Sequence, residues 1–239
     1  MSTRQEIEDA IQENLKDHLR GPFDIRGRIN RMVTRIAAGI RMPDGTLSPP
    51  LPDLSISGTV TTATDAAYKA LPVTAGAAYQ RNVWMVHDSN EAMISPPTHG
   101  DYYDYQAFLE QAAKKDLSSV GSVIVACVLG ANLYYQAIPA SAEALVAYFY
   151  RKPVDMATDD ATPDGIPLPF QFDLLFHGVC ADVFGDAIGN EIKESVQYPD
   201  KAFSKHRRHT AEFYRTMTEM IGFVPPADGV LPYFQPGID

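Results

Sequence analysis

Residues 120–150 read Val120-Gly-Ser-Val-Ile-Val-Ala-Cys-Val-Leu-Gly-Ala-Asn-Leu-Tyr-Tyr-Gln-Ala-Ile-Pro-Ala-Ser-Ala-Glu-Ala-Leu-Val-Ala-Tyr-Phe-Tyr150. Three runs rich in β-branched and aromatic residues, 120–128, 131–138 and 144–150, are separated by Gly130 and by Pro139-Ala-Ser-Ala, which predicts three strands. In the third run Leu145, Ala147 and Phe149 share one face, and Val146, Tyr148 and Tyr150 share the other. Strands this close in sequence are expected to pair as an antiparallel meander. Upstream, residues 58–72 and 79–88 carry two further strand patterns, the second around Trp84, the only tryptophan.

Helical periodicity flanks this β-rich stretch. Thr3 and Glu6 have capping-box spacing, and Ile7, Ile11 and Leu15 follow at every fourth position, giving a helix over about residues 3–19. Asp24 is placed to cap a second helix whose buried face is Ile25, Ile29, Met32, Val33, Ile36 and Ile40. A short helix is expected over residues 101–110. After Pro167-Leu-Pro169 a helix runs to about residue 188, with Gly178, Ala181 and Gly185 leaving room for a close neighbour. The last helix spans residues 200–221, with Phe203, Thr210, Phe213, Tyr214, Met217 and Ile221 as its stripe. The expected organisation is N-terminal helices over 1–41, a proline-rich linker over 42–57, a β-rich region over 58–166, a C-terminal helix pair over 167–222 and an extended arm over 223–239. The fold class is therefore α+β, with N- and C-terminal helices forming a bundle and a mostly antiparallel sheet inserted between them.

Composition narrows the function. The chain has 239 residues, 45% apolar and 21% charged, which is the composition of a folded globular protein. No apolar run reaches the roughly 18 residues of a membrane span, so no membrane partner is expected. Two cysteines, Cys127 and Cys180, suggest neither a disulfide framework nor a zinc framework and fit folding in a reducing cytoplasm. The net charge of -10 is uneven: residues 1–41 carry +2, residues 42–197 carry -12, and residues 198–239 are neutral. That distribution argues against wrapping nucleic acid by counterion release and suits a surface past which a polyanion slides.

Candidate chemistry is sparse. Neither phosphate-cradling glycine spacing nor a Gly-x-Ser-x-Gly elbow occurs. His177 and Cys180 lie at i and i+3, as do His206 and His209, and four such ligands could converge on zinc if their helices pack antiparallel. Lys205, Arg207 and Arg208 oppose a dication there, and Cys180 reads as a small core hydrophobe. Asp173 and His177, at i and i+4, are a weak acid–base candidate. Asp155, Asp159, Asp160 and Asp164 read as a solvated loop rather than a calcium loop. No catalytic residue, metal or cofactor is assigned. Arg28, Arg31 and Arg35 stack on one face of the second helix, either as a solvated face with ion pairs or as a basic rail against an acidic neighbour or a nucleic acid.

An ordered set of motifs resembles the head–tail adaptor (connector, or neck) proteins of tailed bacteriophages. It comprises Leu133-Tyr-Tyr-Gln-Ala-Ile-Pro139, then Glu143-Ala-Leu-Val-Ala-Tyr-Phe-Tyr-Arg-Lys-Pro153, then Gly165-Ile-Pro-Leu-Pro-Phe170 before a long helix. Tyr68-Lys-Ala-Leu-Pro72 resembles an earlier segment of the same family. The resemblance covers roughly residues 57–222. It implies a non-enzymatic virion protein, made in the host cytoplasm and placed in the neck between head and tail. Such a protein forms a ring, of twelve copies, beneath the portal protein and extends the DNA channel to a tail or nozzle protein. DNA would pass its lumen without sequence-specific binding. A tail-completion protein of the same region and a small hydrolase with an unrecognised site are the alternatives. Expected interface residues are Arg28, Arg31 and Arg35, together with Val224, Leu231, Tyr233 and Phe234, apolar anchors of a proline-stiffened arm.

Overall fold

Thr3 and Glu6 do close a capping box: the Glu6 amide donates to the Thr3 hydroxyl (3.3 Å) and the Thr3 amide donates to the Glu6 carboxylate (3.0 Å). This starts α1, Arg4–Lys16, in the computed structural model, which describes residues 2–16, 24–74, 76–99, 101–114, 121–189 and 199–223. The Asp24 carboxylate accepts from the Gly27 amide at 2.9 Å and opens α2, Ile25–Ala38. Three helices follow, α3 (Tyr105–Lys114), α4 (Gln171–Gly189) and α5 (Pro199–Phe223). The strands are β1 (Ser55–Thr61), β2 (Tyr68–Ala70), β3 (Tyr79–His87), β4 (Val125–Leu129), β5 (Asn132–Gln136) and β6 (Ala144–Arg151). With five helices and two small antiparallel sheets among the described residues, the protein is mixed α+β.

The chain divides into two compact units: one from Met1–Asp53 with Pro153–Pro226, the other from Leu54–Lys152. The first holds α1, α2, α4 and α5. Ile7, Ile11 and Leu15 of α1 and Ile25, Ile29, Met32, Val33 and Ile36 of α2 are buried, as their four- and three-residue spacing predicts. Helix α4 buries Leu174, Leu175, Val179, Cys180, Val183, Phe184 and Ala187, residues that point in most directions around its axis. A helix apolar on nearly all sides needs neighbours on several, and α1, α2 and α5 all pack against it. Gly178 and Gly185 make the approach possible. A Cβ on Gly178 would lie 3.0 Å from Met32 Sδ and from the Phe213 ring; one on Gly185 would lie 3.2 Å from the His206 ring.

The stripe expected for α5 is rotated. Phe203 is 50% exposed, and the buried face is Ala202, His209, Phe213, Thr216, Met217 and Met220. Residues 42–57 are also more ordered than a linker. Arg41 bridges Leu47 around Asp44-Gly45, Met42 and Leu51 are buried, and β1 begins at Ser55.

In the second unit the expected three-stranded meander does not form. Strands β4 and β5 pair across the two-residue turn Gly130-Ala131, from Leu129↔Asn132 to Val125↔Gln136, with Gly130 at φ 62°. Strand β6 pairs instead with β1 and β3, giving sheet orders β1-β6-β3 and β2-β5-β4. The physical reason lies in the connections. A two-residue turn holds β4 against β5, whereas residues 137–143, with Pro139, carry the chain out of that ladder. The alternation read for β6 holds: Leu145, Ala147 and Phe149 are buried in one core with Val60, Leu71, Val86, Ala126, Val128, Leu133 and Tyr135. Gly58 is required in β1, because a Cβ there would lie 2.9 Å from the Phe149 ring and 2.7 Å from Pro72. On the other face of β4, Val125 and Cys127 pack against Phe108 of α3.

Candidate functional site

The three arginines of α2 are mostly occupied within their own unit. Arg28 Nη1 lies 2.6 Å from Asp186 Oδ2, and Arg35 Nη1 lies 2.8 Å from Asp182 Oδ2. Among the described residues Arg31 reaches only Asp24, at 4.0 Å. The acidic neighbour of this rail is helix α4, whose Asp182 and Asp186 stand one turn apart facing α2. That i,i+4 pair of aspartates was the sequence signal available for the match. Val224, Leu231, Tyr233 and Phe234 lie outside the described residues.

Within the same unit, α1, α4 and α5 share a half-buried polar chain. Asn14 Nδ2 is 3.1 Å from His209 Nε2 and 3.4 Å from Cys180 Sγ, and His209 Nδ1 is 2.9 Å from His177 Nδ1. One consistent assignment satisfies every contact: Asn14 donates to His209 Nε2, and His209 donates from Nδ1 to His177. Both imidazoles are then neutral. Burial lowers the pKa of both rings, that of His209 to about 4, with the facing His177, Lys205 and Arg208 adding to the effect. Burial also pushes the Cys180 thiol up to about 12, so it is neither a nucleophile nor a ready metal ligand. Asp173 acts on His177 only electrostatically, and the partner of His177 is His209.

The helices do pack antiparallel, but the four ligands considered for zinc do not meet. The Cys180 thiol sits with Asn14 on the Nε2 side of His209, away from His177, and His206 Nδ1 faces the Ala181 carbonyl at 3.0 Å. Among the described residues no group of three His, Cys, Asp or Glu side chains is placed to hold a metal ion. None of the described helices is long and apolar enough to cross a membrane.

Two features escaped the sequence reading. The first is Arg4, 4% exposed, which reaches across to the acidic connector. Its Nη1 donates to the Met156 and Ala157 carbonyls (2.7 and 2.8 Å), and its Nη2 pairs with Asp159. Backbone bonds from Arg4 to Ala161 (2.8 Å) and from Gln5 to Asp159 (3.0 Å) complete the clamp, and Met156 is buried. The connector is therefore fixed to the first turn of α1, where the free N–H groups of a helix start find acceptors. The second is a basic stripe on α5, where Lys201, Ser204, Lys205 and Arg208 line a depression of about 190 Å³.

Comparison with known protein families and with curated proteins finds no match to this chain.

Proposed function

We propose that this chain is a head–tail adaptor of a tailed bacteriophage: a structural, non-enzymatic ring protein that binds beneath the portal and extends the DNA channel toward the tail. The reading takes helices from both ends of the chain as one bundle, with the sheet-bearing segment as an insertion. The observation that carries it is the order of the motifs on the elements. The segment ending at Pro139 falls on β5, the one running to Pro153 falls on β6, and Gly165–Phe170 forms the turned entry into α4, in the sequence order of the family. Gly58 packed against both Pro72 and Phe149 adds support, because it gives the Leu-Pro segment and the aromatic strand a shared packing reason.

On this reading the acidic middle of the chain is a channel device. A net -12 over residues 42–197 keeps passing DNA from being held, and the ring's specificity goes to protein partners. Residues 223–239, with Val224, Leu231, Tyr233 and Phe234, serve as the docking arm toward the portal, the tail or a neighbouring copy. Incubation of the purified chain with portal rings, followed by negative-stain imaging, tests the proposal. The expected result is an added collar of density with the portal's rotational symmetry. Portal rings that remain bare at saturating protein concentration overturn it.

A further inference from the structure

Strand β1 leaves one sheet edge open. Its sequence, Ser55-Ile-Ser-Gly-Thr-Val-Thr61, carries no charge and no proline, and its register against β6 runs without a bulge. The Thr62 amide donates to the Glu143 carbonyl at 2.8 Å, which fixes the alternation along the strand. Val60, Gly58 and Ile56 therefore turn their backbone amides and carbonyls toward β6, and Ser55, Ser57, Thr59 and Thr61 turn theirs away from it. Among the described residues nothing meets that second row: these four residues make no bridge and no hydrogen bond across the outer edge. The side chains of Ser57, Thr59 and Thr61 are exposed as well.

The other long edges are closed. On β3 the Val83 and Val86 amides donate to the Tyr103 and Tyr102 hydroxyls (2.5 and 3.2 Å), and the Val86 carbonyl accepts from the Ile94 amide (2.9 Å). On β4 the Ala126 and Val128 amides donate to the Ser95 and Tyr102 carbonyls (3.0 and 2.6 Å). The remaining edge strand, β2, is only three residues long. Natural sheets guard exposed edges with lysines, prolines, bulges or covering loops, and β1 carries none of these. A flat, uncharged edge of seven residues is a template for one more strand.

The chain also holds a segment suited to one edge only. Residues 230–236, Val-Leu-Pro-Tyr-Phe-Gln-Pro, lie outside the described residues. Pro232 and Pro236 are four apart, so in an extended segment both missing N–H groups fall on the same edge. The N–H groups of Leu231, Tyr233 and Gln235 fall on the opposite edge, where they can meet the carbonyls of a sheet. Such a segment pairs with one strand and offers a poor ladder to the next, the position in which sheets tolerate proline. Both of its faces are apolar, with Leu231 and Tyr233 on one and Val230 and Phe234 on the other. Either direction of pairing therefore extends the apolar side formed by Ile56 and Val60. Residues 224–230 supply a tether of at most about 25 Å.

We infer that the outer edge of β1 receives residues 230–236 of a second copy of this chain, which add a fourth strand to the β1-β6-β3 sheet. The contact is heterologous, because each copy offers its edge to one neighbour and its arm to another, the arrangement from which rings are generated. The prolines end the sheet at that strand, so each edge takes one arm and no further chain. A lysine or proline guard on β1 would block this contact. The inference rests on the adaptor reading for copies that stand side by side, and it names the seat of the arm which that reading invokes.

Single prolines test both partners. Thr59→Pro removes one outward N–H of β1 without touching the ladder to β6, and Tyr233→Pro removes one pairing N–H of the arm. Far-UV circular dichroism verifies the fold of each variant, and sedimentation velocity over a concentration series is the readout. The wild type forms species larger than a dimer, and each variant alone loses association at least tenfold. Their equimolar mixture stops at a 1:1 dimer, because only one competent arm and one competent edge remain. A synthetic peptide of residues 224–239 gives a second measurement that does not depend on the folding of Thr59→Pro. In excess it dissociates the wild-type oligomer; N-methylation at Phe234, whose N–H faces away from β1, leaves this effect intact, and N-methylation at Tyr233 abolishes it. Association unchanged in the variants, a mixture that stays monomeric, or a peptide indifferent to the methylated position overturns the inference. So does amide exchange that finds Ser57, Thr59 and Thr61 protected in the dilute monomer, which assigns the edge to the chain's own arm. A wild type that remains monomeric at every concentration also overturns it, and the adaptor reading then stands or falls separately on the portal collar.

Discussion

His177 and His209 face each other through their Nδ1 atoms at 2.9 Å across the α4–α5 interface, and only one of those atoms can carry a hydrogen. A proton added to His177 at that position would oppose the hydrogen already on His209, unless Asn14 and His209 both reverse. Burial, Arg208 and Arg215 disfavour the added charge on His177, while Asp173 and Glu212 favour it.

Acid sensitivity follows. Both folded-state pKa values lie below the usual histidine value of 6.5, His209 at about 4, so between those limits the unfolded chain binds more protons than the folded one. Stability therefore falls as pH drops from 6.5 toward 4, by at most about 1.4 kcal/mol per pH unit for each such proton. Urea unfolding of wild type and of His209→Leu at pH 7, 6, 5 and 4 measures this. The variant should show a shallower slope, whatever its stability at pH 7, and equal slopes would exclude the pair as the cause.

How far the fold is legible in the sequence depends on the range of each constraint. The buried faces of α1 and α2 and the alternation of β6 are local periodicities, and they read correctly. Phe203 misleads because it stands ten residues before Phe213, about 80° off its face at about 100° per residue, whereas Ala202, eleven residues before, returns to it. The partner of β6 is set by connections and by the packing of Phe149 against Gly58, which alternation does not encode. The ion pairs of Arg28 and Arg35 were legible as charges but not as matches, because Asp182 and Asp186 lie about 150 residues away.

Close helix packing gives a second prediction. Gly178→Ala gains helix propensity, about 1 kcal/mol, but places a methyl 3.0 Å from both Met32 and Phe213. Two neighbours on different helices must move, and overpacking of this kind costs about 1–3 kcal/mol, so the net change is destabilising. Gly222→Ala, in the last turn of α5 with nothing within 4 Å, should instead stabilise by about 0.5–1 kcal/mol. Thermal unfolding of the two variants should bracket the wild type.

The arginine rail divides by exposure. The Arg28 side chain is 17% exposed against Asp186, so a double-mutant cycle should give a coupling of about 1–2 kcal/mol. The better-solvated Arg35–Asp182 pair should give about 0.5 kcal/mol, falling with salt. Arg31→Glu should leave stability within about 0.5 kcal/mol of wild type, because among the described residues its only acidic contact is Asp24 at 4.0 Å. Arg31 is thus the one rail residue whose charge can be reversed cleanly. Loss of portal docking in this variant at unchanged melting temperature would locate an interface there, and normal docking would leave the rail an internal brace.

Arg4 sets the last expectation. Its guanidinium is buried, and its bonds to Met156, Ala157 and Asp159 join the first turn of the protein to a segment more than 150 residues later. Arg4→Ala removes the cation and leaves two carbonyls and a carboxylate to find water, a loss of about 2–4 kcal/mol for a buried charged hydrogen-bond network. Arg4→Lys should recover only part of it, because an ammonium on a shorter head cannot span two carbonyls and a carboxylate in the fixed fork that guanidinium offers. The effect should also be local. Amide exchange in residues 155–162 should accelerate in Arg4→Ala far more than in α5, since the connector loses its anchor while the core of α4 and α5 stays packed. If exchange rises uniformly through all four helices instead, Arg4 is holding the bundle itself rather than clamping the connector onto it.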